Sequence, residues 1–221
     1  MISTPLVADA CIRCGVPLRA APAGIVPVRR GARVMGRALP TRHYGSVDVF
    51  LEAFAAAGPG DVLVVDNGGR VDESCVGDLT VLEAESAGVA ALVIWGLHRD
   101  TPELREIDVP VFSYGTNPLG PTRLDARDDA PVRIGEQVVT RDDIVVADDD
   151  GVVFVAADSI DDVLAVARQI GDVERAQAAR IRAGETLRDQ TAFDEYLAQR
   201  ASDPSYTFRA HLRRIGGAIE E

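Results

Sequence analysis

An α/β layer fold is predicted by the alternation of elements through the middle of the chain. Three observations carry the prediction. Residues 46–57 (SVDVFLEAFAAA) place Val49, Phe50, Phe54 and Ala57 on one helical stripe. Two short apolar runs, DVLVVD at 61–66 and AALVIW at 90–95, have strand length. Between and after them, 79–86 reads as a helix stopping near Gly88, residues 102–106 as a short helix, and 109–113 as a third strand. Helix, strand, helix, strand, short helix, strand is the order of packed α/β layers.

Taken in order, residues 4–15 form a short helix, with Thr4 as N-cap, Pro5 at the first helical position and Gly15 as the stop. Residues 25–28 and 32–39 follow as extended segments, and Gly36 permits a bend in the second. Gly58-Pro59-Gly60 turns the chain into the first buried strand. Gly135-Glu136 joins 131–134 and 137–139 as a hairpin. Asp149-Asp150-Gly151 joins strands 143–148 and 152–155 as a tight acidic turn. That turn lacks the spaced ligands and terminal Glu of a calcium loop. Residues 159–171 are a helix with Ser159 as cap and Val163, Leu164, Val166, Ala167 and Ile170 as its apolar face. Residues 172 to about 197 continue as charged helix. The tail from 203 is too polar to pack alone, and Tyr206, Phe208 and Leu212 suggest an arm laid on a neighbouring subunit or on the same core. The division expected is a core over 1–171 and a helix with an arm over 172–221.

With 221 residues, 47% of them hydrophobic, the chain is long enough to bury a sizeable core. Acidic residues outnumber basic ones 35 to 23, for a net charge of -12, which argues against nonspecific binding to nucleic acid. No apolar run approaches about 20 residues and no basic-then-apolar leader opens the sequence, so a soluble, cytoplasmic protein without membrane partners is expected. Cys11 and Cys14 form a lone CxxC with no histidine cluster to complete a zinc site, and read as two cysteines one turn apart on the first helix.

Candidate chemistry concentrates between residues 68 and 103. Gly77-Asp78-Leu79-Thr80 opens a helix, where free N–H groups and the positive end of the helix dipole suit a carboxylate or phosphate. The P-loop and dinucleotide glycine patterns are both absent. Arg99-Asp100 follows an apolar strand and Gly96. A guanidinium there can clamp a carboxylate, and the adjacent Asp can hold Mg²⁺ or Mn²⁺ directly or through water. Glu103, a turn further on, can orient metal-bound water. The same residues also suit an exposed loop with a local ion pair, and residue chemistry leaves both readings open. His98 reads as a loop residue, His43 and His211 as unrelated to any cluster, and Asp66 to Gly69 as a turn whose glycines let the chain wrap a ligand. Ser74 and Cys75 have neither a nucleophile elbow nor a histidine partner.

Several segments in sequence order resemble the regulator of ribonuclease activity A family, which includes the class II pyruvate aldolases. They are Val7-Ala8-Asp9-Ala10, Gly36-Arg37-Ala38, residues 58–66, Gly77-Asp78, Gly96 to Asp100 with Glu103, Pro110-Val111-Phe112, and Asp148 to Val153 with the helix after it. The resemblance implies an αββα sandwich related to swivelling phosphohistidine domains, assembled as a trimer or hexamer with sites between subunits. It implies that Arg99 and Asp78 are catalytic: Arg99 binds the pyruvyl end of a small 2-oxo acid, and Asp78 polarises a water that shuttles a proton. Backbone N–H groups at Gly77, Leu79 and Thr80 would take the substrate carboxylate. Asp100 would bind the metal, with Glu103 reached through water, and Glu174 is the match for a carboxylate donated by a neighbour. The activity implied is metal-dependent cleavage of a 4-hydroxy-2-oxo acid such as 4-hydroxy-4-methyl-2-oxoglutarate, with oxaloacetate decarboxylation beside it. All 23 basic residues are arginines, so no lysine exists to form the Schiff base of a class I aldolase. A methyltransferase is excluded by the lack of a methyl-donor loop. Two alternatives accompany the aldolase: a non-catalytic ribonuclease regulator, from which Asp100 after Arg99 distinguishes the aldolase pattern, and a branch acting on another 2-oxo acid, suggested by His98 and the tail.

Overall fold

The computed structural model describes residues 2–216; the last five residues of the expected arm lie outside them. In chain order the elements are α1 (Thr4–Cys14), β1 (Arg19–Ala20), β2 (Val26–Pro27), β3 (Val34–Arg42), α2 (Asp48–Ala55), β4 (Val62–Asp66), β5 (Ser74–Val76), α3 (Asp78–Ser86), β6 (Ala91–Trp95) and β7 (Leu97–His98). They continue as α4 (Thr101–Leu104), β8 (Val111–Ser113), β9 (Arg133–Ile134), β10 (Gln137–Val138), β11 (Asp143–Asp148), β12 (Gly151–Ala156), α5 (Ile160–Arg182), α6 (Leu187–Gln190), α7 (Phe193–Ser202) and α8 (Phe208–Ile215).

Eight strands form one sheet in the order β1-β12-β11-β3-β4-β6-β8-β2. Its two edge strands, β1 and β2, are separated in sequence by residues 21–25 alone. Laid flat, seven strand spacings would separate them by about 34 Å, whereas the linking backbone reaches roughly 20 Å. The sheet therefore curls over on itself. Residues from both halves meet in the fold, among them Val62, Val64, Val93 and Phe112 from one and Val145, Ala147 and Phe154 from the other.

A helical layer covers each outer face. Leu63, Val65, Leu92 and Ile94, which alternate with the inner-facing residues of β4 and β6, pack with Phe50 and Phe54 of α2 and Val81 and Ala84 of α3. Val153 and Val155 of β12 pack with Val7 and Ala10 of α1 and Val163, Ala167 and Ile170 of α5. The result is the αββα sandwich. It also explains why β4 and β6 are unbroken apolar runs: strands covered on both faces have no polar side to show.

Local differences from expectation have identifiable causes. Thr4 does not cap α1. Its hydroxyl and backbone N–H bind the Asp148 carboxylate at 2.5 and 2.9 Å, pinning the helix to the end of β11, and Ser3 takes the cap position. His98, expected in a loop, lies with Leu97 in a short strand pairing in parallel with β5. The charged helix stops at Arg182 rather than near 197. Gly184 turns with φ +99, and Thr186 and Asp189 then form a capping box that starts a new helix. The tail packs against itself: Tyr196 meets Phe208 edge-on at 5.0 Å and His211 at 5.7 Å. His211 is fully buried there and bonds the Thr191 carbonyl oxygen at 2.8 Å. Cys11 and Cys14 are free thiols on α1. Among the described residues, no helix is long and apolar enough to cross a membrane.

Candidate functional site

Strands β3, β4 and β6 run parallel, so their carboxyl ends lie along one edge, where open α/β sheets gather ligands. His43 follows β3 and Asn67 follows β4. Over this edge sits the two-stranded parallel pair β5 and β7. β5 delivers the chain through Gly77 into α3, and β7 delivers it through Arg99 and Asp100 into α4. The two deliveries converge.

At the convergence, Asp78 N–H donates to Asp100 Oδ2 at 3.3 Å, and Arg99 Nε lies 3.4 Å from the same oxygen. A Cβ on Gly77 would stand 2.4 Å from Asp100 Oδ2 and 3.1 Å from Arg99 Nε, so the approach depends on the missing side chain. Gly120 does the same on the far side of the guanidinium, where a Cβ would meet Arg99 Nη1 at 2.9 Å. Asp100 itself is left-handed, with φ 59 and ψ 41. Such a conformation in a non-glycine residue costs of order 1 kcal/mol and is sustained by the surrounding structure. The Asp78 carboxylate accepts from Leu79 N–H at 2.7 Å. The start of α3 thus already faces two carboxylates, which is what a helix N-terminus favours.

A cavity of about 140 Å³ opens here. Gly77, Asp78, Leu79, Thr80 and Arg99 line one side; His43, Val47, Ser74, Cys75 and Pro121 line the rest. All the substrate-side residues expected from sequence are therefore brought together. Asp100 sits behind Gly77 with its side chain about one-third exposed. Glu103 lies on α4, exposed to solvent. Glu174 does not join the group: it is exposed on α5, in the opposite helical layer.

Among the described residues, no three His, Cys, Asp or Glu side chains converge as a metal cage. One partly exposed carboxylate with a second on the next helical turn does not suit zinc. It does suit a hard cation that keeps most of its water, as Mg²⁺ does with one or two carboxylates.

Neighbouring side chains divide into supports and something more. His98 is buried, not in a loop; Nδ1 meets Ser113 Oγ at 2.7 Å and Nε2 meets Thr101 Oγ1 at 2.9 Å. It ties β8 to the start of α4, on either side of the Arg99-Asp100 corner. Burial holds its pKa below the usual histidine value. Ser74 Oγ donates to the Leu119 carbonyl at 2.9 Å, and burial pushes the Cys75 thiol far up, so neither is an activated nucleophile.

His43 had no place in the sequence-based site, yet it forms part of the wall. Its ring stacks on Phe50, 5.4 Å between centroids and 3° from parallel. Nδ1 lies 2.9 Å from Asn67 Oδ1, which also accepts from Arg123 Nη2 at 3.0 Å. Arg123 in turn pairs with the buried Glu73 at 3.0 Å. Burial lowers the His43 pKa, more than the Asn67 hydrogen bond raises it. The one sequence signal was position, since His43 immediately follows a strand whose carboxyl end belongs to the binding edge.

The class of protein is defined by a curled αββα sandwich with an Arg-Asp corner set against a Gly-Asp helix start at the carboxyl ends of parallel strands. More particularly, the chain belongs to the RraA-like (Aldolase/RraA) family, whose model matches residues 4–154 and so ends within β12. It is similar in structure to an uncharacterized protein from Pseudomonas syringae pv. tomato (TM-score 0.72, 26% identity, covering 84% of this chain and 90% of that one). It is similar also to Streptomyces coelicolor RraAS2, described as an unusual member of the RNase ES inhibitor RraA protein family (0.67, 28%, 82% and 93%). A third is the RNA-processing inhibitor RraA from Thermus thermophilis (0.59, 25%, 67% and 91%).

Proposed function

We propose that the protein is a divalent-metal-dependent pyruvate aldolase that cleaves a 4-hydroxy-2-oxo acid and also decarboxylates oxaloacetate. The observation that carries this reading is the placement of Arg99 and Asp100 against the Gly77-Asp78 helix start, around a cavity large enough for a pyruvyl group. Arg99 binds the carboxylate and carbonyl side of the substrate as a charge-assisted clamp. The start of α3 presents its positive end to the same carboxylate at Gly77 and Thr80, and at Leu79 once its N–H is released by the Asp78 carboxylate it now binds. Asp100, with Glu103 reached through water, would hold Mg²⁺ or Mn²⁺, which when bound would supply Lewis-acid stabilisation of negative charge on the substrate's carbonyl side.

The chain's own residues bind and hold protons. With Arg99 on the carbonyl side, its guanidinium meets the negative charge that grows there as the C3–C4 bond breaks, so its contribution is larger in the transition state than in the bound substrate. Asp78 orients a water that delivers a proton to the enolate carbon. The working form is a trimer or hexamer in which a neighbour completes the site, with Glu174 its carboxylate.

Pyruvate release from 4-hydroxy-4-methyl-2-oxoglutarate and from oxaloacetate, with and without Mg²⁺, tests the reading. Metal-dependent release that vanishes in Asp100→Ala supports it; release that persists in EDTA overturns it. A second reading, a non-catalytic regulator, is favoured by similarity to Streptomyces coelicolor RraAS2, of the RNase ES inhibitor RraA protein family, and to the RNA-processing inhibitor RraA. Tight binding to a ribonuclease with no release from either substrate would select it.

A further inference from the structure

We infer that His43 is a second proton-transfer residue of this site, the base that takes the hydroxyl proton of the 4-hydroxy-2-oxo acid. The inference rests on the aldolase reading and adds to it a group outside the Arg-Asp pattern.

Tautomer and orientation are fixed by the network behind the ring. Asn67 Oδ1 accepts from Arg123 Nη2, so the oxygen, not the amide nitrogen, faces His43. Turning the amide over would set two donors against each other. His43 Nδ1 must therefore carry the proton and donate it, and Nε2 carries the lone pair. The stack on Phe50 prevents the ring from rotating away. Among the described residues no side chain or backbone group pairs with Nε2, and it is not one of the sealed, partnerless buried atoms. His43 stands between two cavities, one shared with Asn67 and Arg123 and the other with Asp78 and Arg99 but without Asn67. With Nδ1 turned to Asn67 on the first side, the nitrogen left to the Asp78–Arg99 side is Nε2. The geometry is that of an oriented general base: an acceptor nitrogen facing the ligand, and the opposite nitrogen held by a buried acceptor.

In the cleavage, the C4 hydroxyl proton moves to Nε2 and the O–H electron pair becomes the new C4=O bond. The C3–C4 pair passes to the pyruvyl half as enolate. The proton then leaves Nε2 through the water held by Asp78 and arrives at C3, giving pyruvate and neutral His43. Atoms and electrons balance without a further reactant. Oxaloacetate has no such hydroxyl proton to lose, so its decarboxylation does not call on this base.

His43→Asn separates the roles, because its amide nitrogen keeps the donation to Asn67 and deletes Nε2. We expect aldol kcat to fall by about 10²–10⁴-fold with KM changed little, and decarboxylation to fall at least tenfold less. His43→Ala should regain aldol turnover with added imidazole. In the wild-type protein, histidine ¹⁵N shifts should show Nδ1 protonated. Equal losses in the two reactions, full aldol activity in His43→Asn, or an Nε2-protonated ring would each overturn the assignment. A wild-type protein inactive on both substrates with Mg²⁺ would instead remove the aldolase reading, and this assignment with it.

Discussion

Asp100 Oδ2 accepts the backbone N–H of Asp78 at 3.3 Å, so one carboxylate 22 residues further along fastens the start of α3 to the start of α4. The contact passes directly over Gly77. That glycine has φ -131 and ψ -174, which any residue adopts, so only space restricts the position. In Gly77→Ala the new methyl would stand 2.4 Å from Asp100 Oδ2 and force the carboxylate aside. Overpacking of a movable side-chain end should cost about 1 kcal/mol of stability. Metal-dependent pyruvate release should fall at least tenfold. Thermal melting beside a turnover assay checks both halves, and an unchanged rate would show that the contact is dispensable.

Asp100 is also where stability and chemistry pull apart. Its left-handed backbone suits glycine better than aspartate. Asp100→Gly and Asp100→Ala should both abolish metal-dependent release, but they should differ in melting temperature. Glycine adopts φ 59 without a Cβ penalty, whereas alanine retains one of about 1 kcal/mol. For a chain of this size that difference is roughly 2–4 °C. Differential scanning calorimetry of the pair would read it, and equal melting temperatures would place the strain elsewhere.

Some of this was legible in the sequence for physical reasons, and some could not be. The runs at 61–66 and 90–95 declared themselves because sandwiching buries both faces, and the Gly-Asp and Arg-Asp pairs because turn and charge chemistry is local. β1, β5 and β7 are two or three residues long and have no period to detect. Most residues of 172–197 favour helix; Gly184 and the Thr186–Asp189 cap are the local signals that end α5, and they are weak beside that charged run. The His43–Asn67 contact is different in kind. In the parallel register Arg42 lies beside Asp66, which sets the next residues side by side, and no local pattern announces strand adjacency.

His98 should behave as a support. Truncation in His98→Ala leaves Ser113 and Thr101 hydroxyls without their ring partner inside the fold. Ser113 keeps Gly115 as a weaker partner at 3.2 and 3.3 Å and Thr101 is only partly buried, so the loss is that of two hydrogen bonds, together about 1–3 kcal/mol. Urea unfolding should show that loss in the midpoint. A wild-type midpoint would mean that the hydroxyls find replacement partners.

The two site histidines also set an acid limit on the fold. Burial lowers the pKa of both His43 and His98. Around His43, Arg123 pushes the same way while Glu73 and Asp125 oppose it; around His98, Arg105 lowers and Asp100 raises. In the unfolded chain each ring takes a proton near pH 6.5, while the folded rings stay neutral to lower pH. The unfolded state therefore binds more protons in that window, and stability rises with pH across it. Seen from the other side, stability begins to fall as pH drops through about 6.5, and stops falling on this account once the folded rings protonate. Each histidine contributes at most about 1.4 kcal/mol per pH unit. Urea midpoints measured from pH 8 to 5 should decline below pH 6.5, and the decline should be shallower in His43→Asn, which has one fewer ring to protonate on unfolding. An equal slope in that variant would mean that burial of His43 is not what the acid limit reports.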